Sequence, residues 1–252
     1  VERSRGLGMC IRDSSARAGE LLIKSYRAER RHTLAFVVPT GGSLASAATL
    51  THSKIDVVLA TIGVLAWVAC HQGDYVTVIA PSKDGPSVAR PSYRDTQIEH
   101  MLAGLDAGCR LEAPDPDLVE LLDLTASGLR RRCIVVVVLD DWDPRPADVD
   151  ALASLCARHE VLAIEVSDLD LTDPALATVP TRDQATGQPV PGFVARDRKV
   201  REQAVAAQQE RARRRGRTLD RLGIIHESVA DVDDSVAAIV RLLERMRHAS
   251  RH

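Results

Sequence analysis

Two short polar stretches of this chain have side chains that could do chemistry. Residues 39–43, "PTGGS", follow an apolar run and combine two hydroxyls with paired glycines. Residues 140–143, "DDWD", follow a second apolar run and place three carboxylates around one tryptophan. Backbone N–H groups in a glycine-rich turn attract phosphate, and hydroxyl and carboxylate oxygens are the ligands that Mg²⁺ prefers. These stretches could therefore hold a phosphate, a metal ion, or neither.

The surrounding runs predict the elements that position these side chains. Short β-branched apolar runs are typical of buried parallel strands, and they are found at 34–38, 75–80, 133–139, 161–166 and 222–226. Helical patterns lie at 53–71, 95–106, 116–130, 146–158, 197–217 and 232–248. This alternation predicts an α/β fold with a doubly wound, mostly parallel sheet. Ligands of such sheets bind beyond the carboxyl ends of the strands.

The polar segments that follow four of these strands should lie along one rim of the sheet. They are "VPTGGS" (38–43), "APSKDG" (80–85), "LDDWDP" (139–144) and "VSDLD" (166–170). Residues 176–193 break the alternation, and "QATGQ" within them predicts a surface β-hairpin insertion. The arginine-rich run 208–217 predicts a solvated helix end or, alternatively, a docking patch for an acidic partner.

Composition excludes some classes of function. The 252 residues carry a formal net charge of −2 and only 3% aromatic residues, so neither the charge nor stacking favours nucleic acid as a partner. The five cysteines include no CxxC pair, which is typical of reduced thiols in a cytosolic protein. The longest apolar run, 55–70, is shorter than the roughly 18–20 residues that span a bilayer. We therefore expect a cytoplasmic protein without membrane contact, although residues preceding Val1 could add an anchor.

Several stretches in a fixed order carry a family resemblance over nearly the whole chain. They are "SSARAGELLIKSYRAERRHTLAFVV" (14–38), "HQGDYVTVIA" (71–80), "RRRCIVVVVLDDWDP" (130–144), "RHEVLAIEVSDLD" (158–170), "RDQATGQPV" (182–190) and "LGIIHESVADVDDSVAAIVRLL" (222–243). Together they resemble the bacterial domain of unknown function 58 family. The family usually carries a tryptophan before its Ser-Ala-Arg element, and "CIRDSSAR" has none. The resemblance implies an N-terminal family segment at 1–32 and a von Willebrand factor type A-like domain at 33–252.

The resemblance also implies where a metal would bind. Metal-binding von Willebrand type A domains use a metal-ion-dependent adhesion site built from Asp-x-Ser-x-Ser, a later Thr and a later Asp. The matching positions in this chain are Pro39, Gly41, Ser43, Pro116 and Asp141. Only Ser43 and Asp141 retain a side-chain oxygen ligand, so we expect a degenerate site and no cofactor. Mg²⁺ stays an alternative, because Thr40, Asp117 or Asp140 could substitute as ligands.

The predicted function is a non-enzymatic interaction module that contacts its partner without metal. Members of the resembled family are commonly encoded beside MoxR-type AAA+ ATPases, so the resemblance implies an adaptor or chaperone-like role with such an ATPase or its client. The predicted contact residues are Thr40, Gly42, Ser43, Asp140, Asp141 and Trp142. An exposed tryptophan would suit a partner contact. The alternatives are a Mg²⁺-dependent adhesion module and a phosphate-ester hydrolase that uses "PTGGS" and "DDWD".

Overall fold

The structure, a computed structural model, describes residues 31–249. Its centre is a six-stranded sheet in the order β3-β2-β1-β4-β5-β8. Neighbouring strands are parallel except for β2 and β3, which are antiparallel. The six strands are β1 (Thr33–Val37), β2 (Tyr75–Ser82), β3 (Gly85–Val88), β4 (Ile134–Leu139), β5 (Glu160–Val166) and β8 (Ile225–Val229). The predicted doubly wound, mostly parallel α/β fold is confirmed.

Helices cover both faces of the sheet and enclose two apolar cores. They are α1 (Gly42–Ala45), α2 (Lys54–His71), α3 (Asp95–Gly108), α4 (Leu118–Gly128), α5 (Pro146–Cys156), α6 (Phe193–Arg196), α7 (Arg198–Arg221) and α8 (Ser235–Ala249). One core packs α2, α3 and α8 against residues such as Phe36 and Val136. The other packs α4, α5 and the end of α7 against residues such as Val37 and Val135. Alternate residues of β1 and β4 therefore serve opposite cores, which explains their continuous apolar sequences.

Two strands differ from the sequence prediction. β3 was not predicted, because "GPSV" contains glycine and proline, which are poor strand formers that an edge strand can accommodate. It turns β2 back on itself after Ser82, so the predicted rim segment 80–85 is a hairpin instead of an open loop. β8 begins three residues later than predicted and continues through the polar sequence "HESV". It is the other edge strand, and of its side chains only that of Val229 is buried.

The predicted β-hairpin insertion is present between β5 and α7. Its strands are β6 (Thr181–Arg182) and β7 (Pro189–Val190), which pair antiparallel. Gly187 has a φ of 66° in the connecting turn, a conformation that favours glycine. A short 3₁₀ turn, Pro174–Thr178, precedes the hairpin. The predicted N-terminal segment and its Ser-Ala-Arg element fall, up to residue 30, outside the described residues, and the domain boundary stays a prediction.

Candidate binding site

The strand order reverses between β1 and β4, so their carboxyl ends border a crevice. Within the sheet, β2 lies on one side of β1, and the next parallel strand, β4, lies on the other side of β1. Such a reversal is where ligands of open α/β sheets bind. A cavity of about 520 Å³ lies there, which we call the switch-point cleft. Its lining includes Pro39, Ser43, Asp115, Pro116, Asp140, Trp142, Asp143 and Arg145.

The glycine turn after β1 is packed against the loop that precedes α4. Thr40, Gly41 and Gly42 are buried, and the Gly42 N–H donates to the Ala113 carbonyl at 3.0 Å. A Cβ on Gly42 would lie 2.8 Å from the Ala113 and Leu111 carbonyl oxygens, which is closer than real contacts allow. The paired glycines are therefore explained by this close approach of two backbones. Thr40, Gly41 and Gly42, which the sequence placed at or beside a partner surface, are therefore covered by other parts of the chain.

The backbone N–H groups of this turn that could bind an anion already have hydrogen-bond partners within the chain. The Ser43 N–H, at the start of α1, donates to Asp115 Oδ1 at 2.8 Å. The neighbouring N–H of Gly42 is paired with Ala113. Because α1 has only four residues, it adds little dipole of its own. The geometry therefore gives no support to a phosphate site at "PTGGS".

A buried lysine lies at the centre of the polar cluster on the rim. Lys54 Nζ pairs with Asp168, and it lies 3.4 Å from Asp140 Oδ2. The Ser43 hydroxyl donates to the same Asp140 oxygen. Only 3% of the Lys54 side chain is exposed, whereas Asp140 and Asp168 are exposed by 22% and 38%. Ser43, Lys54, Asp140 and Asp168, which we call the lysine cluster, therefore form one connected network.

The lysine cluster does not fit a divalent metal ion. Mg²⁺ needs several hard oxygen ligands around one point, and here the Lys54 ammonium occupies the space on which the two carboxylates converge. Pro39 and Gly41, at the positions of two expected ligands, offer no side-chain oxygen. Within residues 31–249 no group of three or more His, Cys, Asp or Glu side chains is placed to hold a metal.

The other two carboxylates of "DDWD", Asp141 and Asp143, are paired with arginines of α7. Asp141 Oδ1 accepts from Arg215 Nη1 at 2.8 Å, and its other oxygen lies 3.6 Å from Arg211 Nε. Asp143 lies 3.5 Å from Arg214 Nη1. The acidic loop, a predicted contact surface, and the arginine-rich run, predicted as a solvated helix end or alternatively a docking patch, therefore form ion pairs with each other. Asp141, the predicted metal-ligand position, faces α7, and Asp140 is the carboxylate that lies beside Ser43.

Trp142 is held in the wall of the switch-point cleft by a buried carboxylate. Its indole Nε1–H donates to Asp148 Oδ2 at 3.2 Å, and its ring packs partly buried against the α4–α5 core. Asp148, only 1% exposed, also accepts from the Arg145 backbone and guanidinium. Burial opposes ionisation of Asp148, but the hydrogen bonds from Arg145 and Trp142 outweigh it and lower the pKa of this carboxyl.

The β-hairpin insertion covers the side of the lysine cluster that faces away from the switch-point cleft. Gln184 Nε2 in its turn donates to the Leu111 carbonyl at 3.4 Å. A cavity of about 420 Å³ separates the insertion and α7 from the rim. Its lining includes Ser43, Lys54, Asp168, Arg182, Gln184 and Gln208. The rim is therefore bordered by this cavity on the insertion side and by the switch-point cleft on the other side.

The structure brings together some of the predicted site residues and adds others. Ser43, Asp140 and Trp142 line the switch-point cleft, and Pro39 and Pro116 form part of its wall. Sequence reasoning missed Lys54, Asp115 and Asp168. One available signal was that Lys54 is among only four lysines in an arginine-rich chain. A second was its place at the start of a helix, where a positive charge is unfavourable.

The family can be stated from the sequence match. The profile described as "Protein of unknown function DUF58" matches residues 13–215, which is most of the chain. The chain belongs to the DUF58 family. The resemblance recognised in the sequence is thereby confirmed, whereas a MoxR-type partner and a degenerate adhesion site stay predictions. A search of curated proteins found no match for this DUF58 chain.

Among solved structures, this DUF58 chain is similar in fold to several proteins, one of which is named as a von Willebrand factor type A protein. The pilus adhesin SpaC from Lactobacillus rhamnosus GG matches with a TM-score of 0.51 and 11% identity, over 89% of this chain and 31% of that one. An aerotolerance-related membrane protein from Bacteroides fragilis matches at 0.47 and 14%, over 85% and 99%. A von Willebrand factor type A protein from Catenulispora acidiphila matches at 0.40 and 14%, over 66% and 41%. At these identities the likeness concerns the fold alone.

The predicted cytoplasmic location is contradicted and is withdrawn. Helix α2 (Lys54–His71) is 18 residues long and, by length and composition, apolar enough to cross a membrane. The sequence reading judged 55–70 too short because it left out the residues that complete the helix at each end. Half of this helix is buried inside the fold, where it packs against the sheet and α8.

A second polar cluster joins α7 and α8 to the outer edge of the sheet. His226 Nδ1 on β8 lies 3.0 Å from Glu165 Oε1 on β5, and its Nε2 lies 3.3 Å from Asp220 Oδ1 on α7. Arg215 Nε donates to the other Glu165 oxygen at 3.0 Å. The hydrogen bond with Glu165 outweighs burial and the nearby Arg245, so the pKa of His226 is raised. The pKa of Glu165 is lowered, because hydrogen bonds from His226 and Arg215 outweigh its burial.

The raised pKa of His226 predicts a pH dependence of stability. Protonated His226 stabilises the fold fully below the unfolded-state value of about 6.5, and this contribution is lost as pH rises through the higher folded-state pKa. The free energy of unfolding of the wild type, relative to that of His226→Gln, should therefore fall as the pH rises from about 6.5 into the alkaline range. Urea unfolding across this range tests it, and parallel curves for the two proteins would contradict it.

Proposed function

We propose that this DUF58 chain is a non-enzymatic protein-interaction module that binds its partner at the switch-point cleft without a metal ion. Membership of the family and a fold shared with a pilus adhesin support a role of the adhesion or interaction type. The resemblance in the sequence supports a more specific role, in which the module binds a MoxR-type AAA+ ATPase or its client during the maturation of protein complexes.

The observation that carries the proposal is the mutual pairing of the polar groups on the rim. A hydrolase needs a nucleophile or a general base that faces the substrate. Here the Ser43 hydroxyl donates to Asp140, and Asp140 is also paired with Lys54. A metal-dependent adhesion module needs ligands that converge on a metal ion, and these converge on an ammonium. This arrangement favours binding over catalysis and favours contact without metal.

The wall of the switch-point cleft offers residue types that suit a protein partner. Trp142 presents part of its ring, while its N–H is fixed by Asp148. The Arg145 side chain is 61% exposed and lies beside it. Tryptophan and arginine dominate the binding energy of many interfaces. Because both side chains are anchored on Asp148, little conformational freedom would be lost on binding.

Binding to the purified MoxR-type ATPase of the same genome tests the proposal. The ATPase would be nucleotide-free, so that its own need for Mg²⁺ does not enter. We expect equal affinity with Mg²⁺ and with EDTA. Trp142→Ala should weaken binding about tenfold or more. Trp67→Ala is the matched control, because Trp67 is the other tryptophan, lies on α2 and is 60% exposed.

Three outcomes would contradict the proposal. Binding that appears only with Mg²⁺ would contradict metal independence. Equal losses in Trp142→Ala and Trp67→Ala would contradict the cleft as the contact surface. No binding to the ATPase, with or without nucleotide, would contradict the proposed partner. Thermal unfolding of each variant would separate lost contacts from lost folding.

A further inference from the structure

We propose that Lys54 is a built-in cation that takes the place of a metal ion, and that its removal opens a divalent-cation site formed by Asp140, Asp168 and Ser43. The proposal concerns the isolated chain and does not depend on the partner proposed above. It rests on the position, burial and charge balance of the lysine cluster.

The first argument is that two carboxylates converge on one point. Asp140 on the loop after β4 and Asp168 on the loop after β5 are brought together by two neighbouring strands. Both carboxylates pair with the single nitrogen Lys54 Nζ. Oxygens that surround one ammonium nitrogen also surround the centre of a small cation at that point. The hydroxyl of Ser43 donates to the Asp140 oxygen that faces Lys54, so it is a further oxygen next to this point.

The second argument is the cost of burying a lysine. Only 3% of the Lys54 side chain is exposed, and lysines are rarely buried so completely unless their charge is paired. Lys54 is also the first residue of α2, where the helix dipole disfavours a positive charge. Neither the helix nor the apolar core explains a lysine at this position. The two carboxylates do, because without a cation they would repel each other.

The third argument is that a cation from solvent could reach the lysine cluster. The lysine cluster borders the cavity beneath the insertion as well as the switch-point cleft. Asp140 and Asp168 keep 22% and 38% of their side chains exposed. Mg²⁺ and Mn²⁺ keep several waters when a protein binds them through one or two carboxylates. Loss of the lysine side chain would leave room for an ion that completes its coordination with water.

The test is the binding of Mn²⁺ and Mg²⁺ to Lys54→Ala, with free Mn²⁺ followed by electron paramagnetic resonance and Mg²⁺ by calorimetry. We expect the wild type to bind neither ion below about 10 mM. We expect Lys54→Ala to bind Mn²⁺ at about 1 mM or tighter, the range of weak protein sites for divalent cations. Adding Asp168→Asn to Lys54→Ala should weaken this binding at least tenfold.

Lys54→Met is the matched control. It removes the same charge as Lys54→Ala, but its long side chain still fills the space between the carboxylates. We expect at least tenfold weaker Mn²⁺ binding by Lys54→Met, so equal binding by both variants would show a general effect of charge and overturn the proposal. Mn²⁺ binding by the wild type would also overturn it. So would a folded Lys54→Ala that binds no Mn²⁺ up to about 10 mM, well beyond the range of weak sites.

A second measurement covers the case in which Lys54→Ala folds poorly. A cation that binds only the folded state stabilises it, so thermal unfolding of Lys54→Ala should shift to higher temperature in Mn²⁺. The wild type should not shift. If Lys54→Ala is unfolded both with and without Mn²⁺, the carboxylates do not form a cation site and the proposal is overturned.

Discussion

Replacing both Asp140 and Asp168 by alanine should lower the free energy of unfolding by about 3 kcal/mol, which is more than the sum of the two single changes. Each single variant leaves Lys54 one carboxylate, whereas the double variant leaves a buried ammonium without a counterion. Breaking a buried pair in this way costs roughly 3–5 kcal/mol. We expect the lower end of that range, because both aspartates are partly exposed and water can enter their places.

Urea unfolding of the two single variants, the double variant and one triple variant would measure this coupling. Adding Lys54→Met to the double variant removes the unpaired charge and should recover most of the lost stability, since apolar replacement of a buried ion pair is often tolerated. Asp143→Ala is the control, because its partner Arg214 is 62% exposed. Additive losses, or no recovery in the triple variant, would show that Lys54 does not depend on these carboxylates.

The sheet could be predicted because its signal is local. "CIVVVVL" and "VLAIEV" are nearly continuous apolar runs, and their strands β4 and β5 are covered on both faces. The two strands at the edges lack this signal, since β3 contains proline and β8 continues through polar residues. Their pairing is decided by the neighbouring strand, as in Ala80↔Ser87 and Leu162↔Ile225, and not by their own composition.

The rim could be predicted as a location but not as a network. Strand ends indicated that the segments with Ser43 and Asp140 would lie along one rim, and the structure adds that their strands β1 and β4 are neighbours. Nothing local indicated that Lys54 would reach Asp140, which is 86 residues away. Lys54 stands out locally as one of four lysines and as a positive charge at a helix start, but neither signal identifies its partners. Its role depends on where α2 starts relative to the rim.

The ion pairs between "DDWD" and α7 also could not be predicted from local sequence. "DDWD" and the arginines of 208–217 each resemble a surface feature when considered alone, and the sequence offered a separate docking role for the basic run. In the fold, Arg215 contacts both Asp141 and Glu165, and Arg214 lies near Asp143. The 24-residue length of α7 brings its last turns back over the rim. Opposite charges that are distant in sequence are therefore partners within the fold.

Asp148→Ala should lower the free energy of unfolding by about 2–3 kcal/mol and should release Trp142 into solvent. Asp148 is 1% exposed and is the acceptor for the Trp142 indole and for the Arg145 backbone and guanidinium. Hydrogen bonds to a charged group contribute roughly 1.5–3 kcal/mol, and leaving a partly buried donor unpaired adds to the loss. The exposed guanidinium of Arg145 contributes little to this total, because solvent screens it.

Tryptophan fluorescence in a Trp67→Phe background would report Trp142 alone, since the chain has two tryptophans. We expect a red shift in Asp148→Ala and none in the control Asp150→Ala, an exposed residue of the same helix. The lowered pKa of Asp148 fixes the pH dependence: its stabilising effect is complete above about pH 4 and is lost as pH falls through the folded-state pKa. The stability difference between wild type and Asp148→Ala should therefore shrink on acidification, and a difference that stayed constant would show that Asp148 acts through packing and not through its charge.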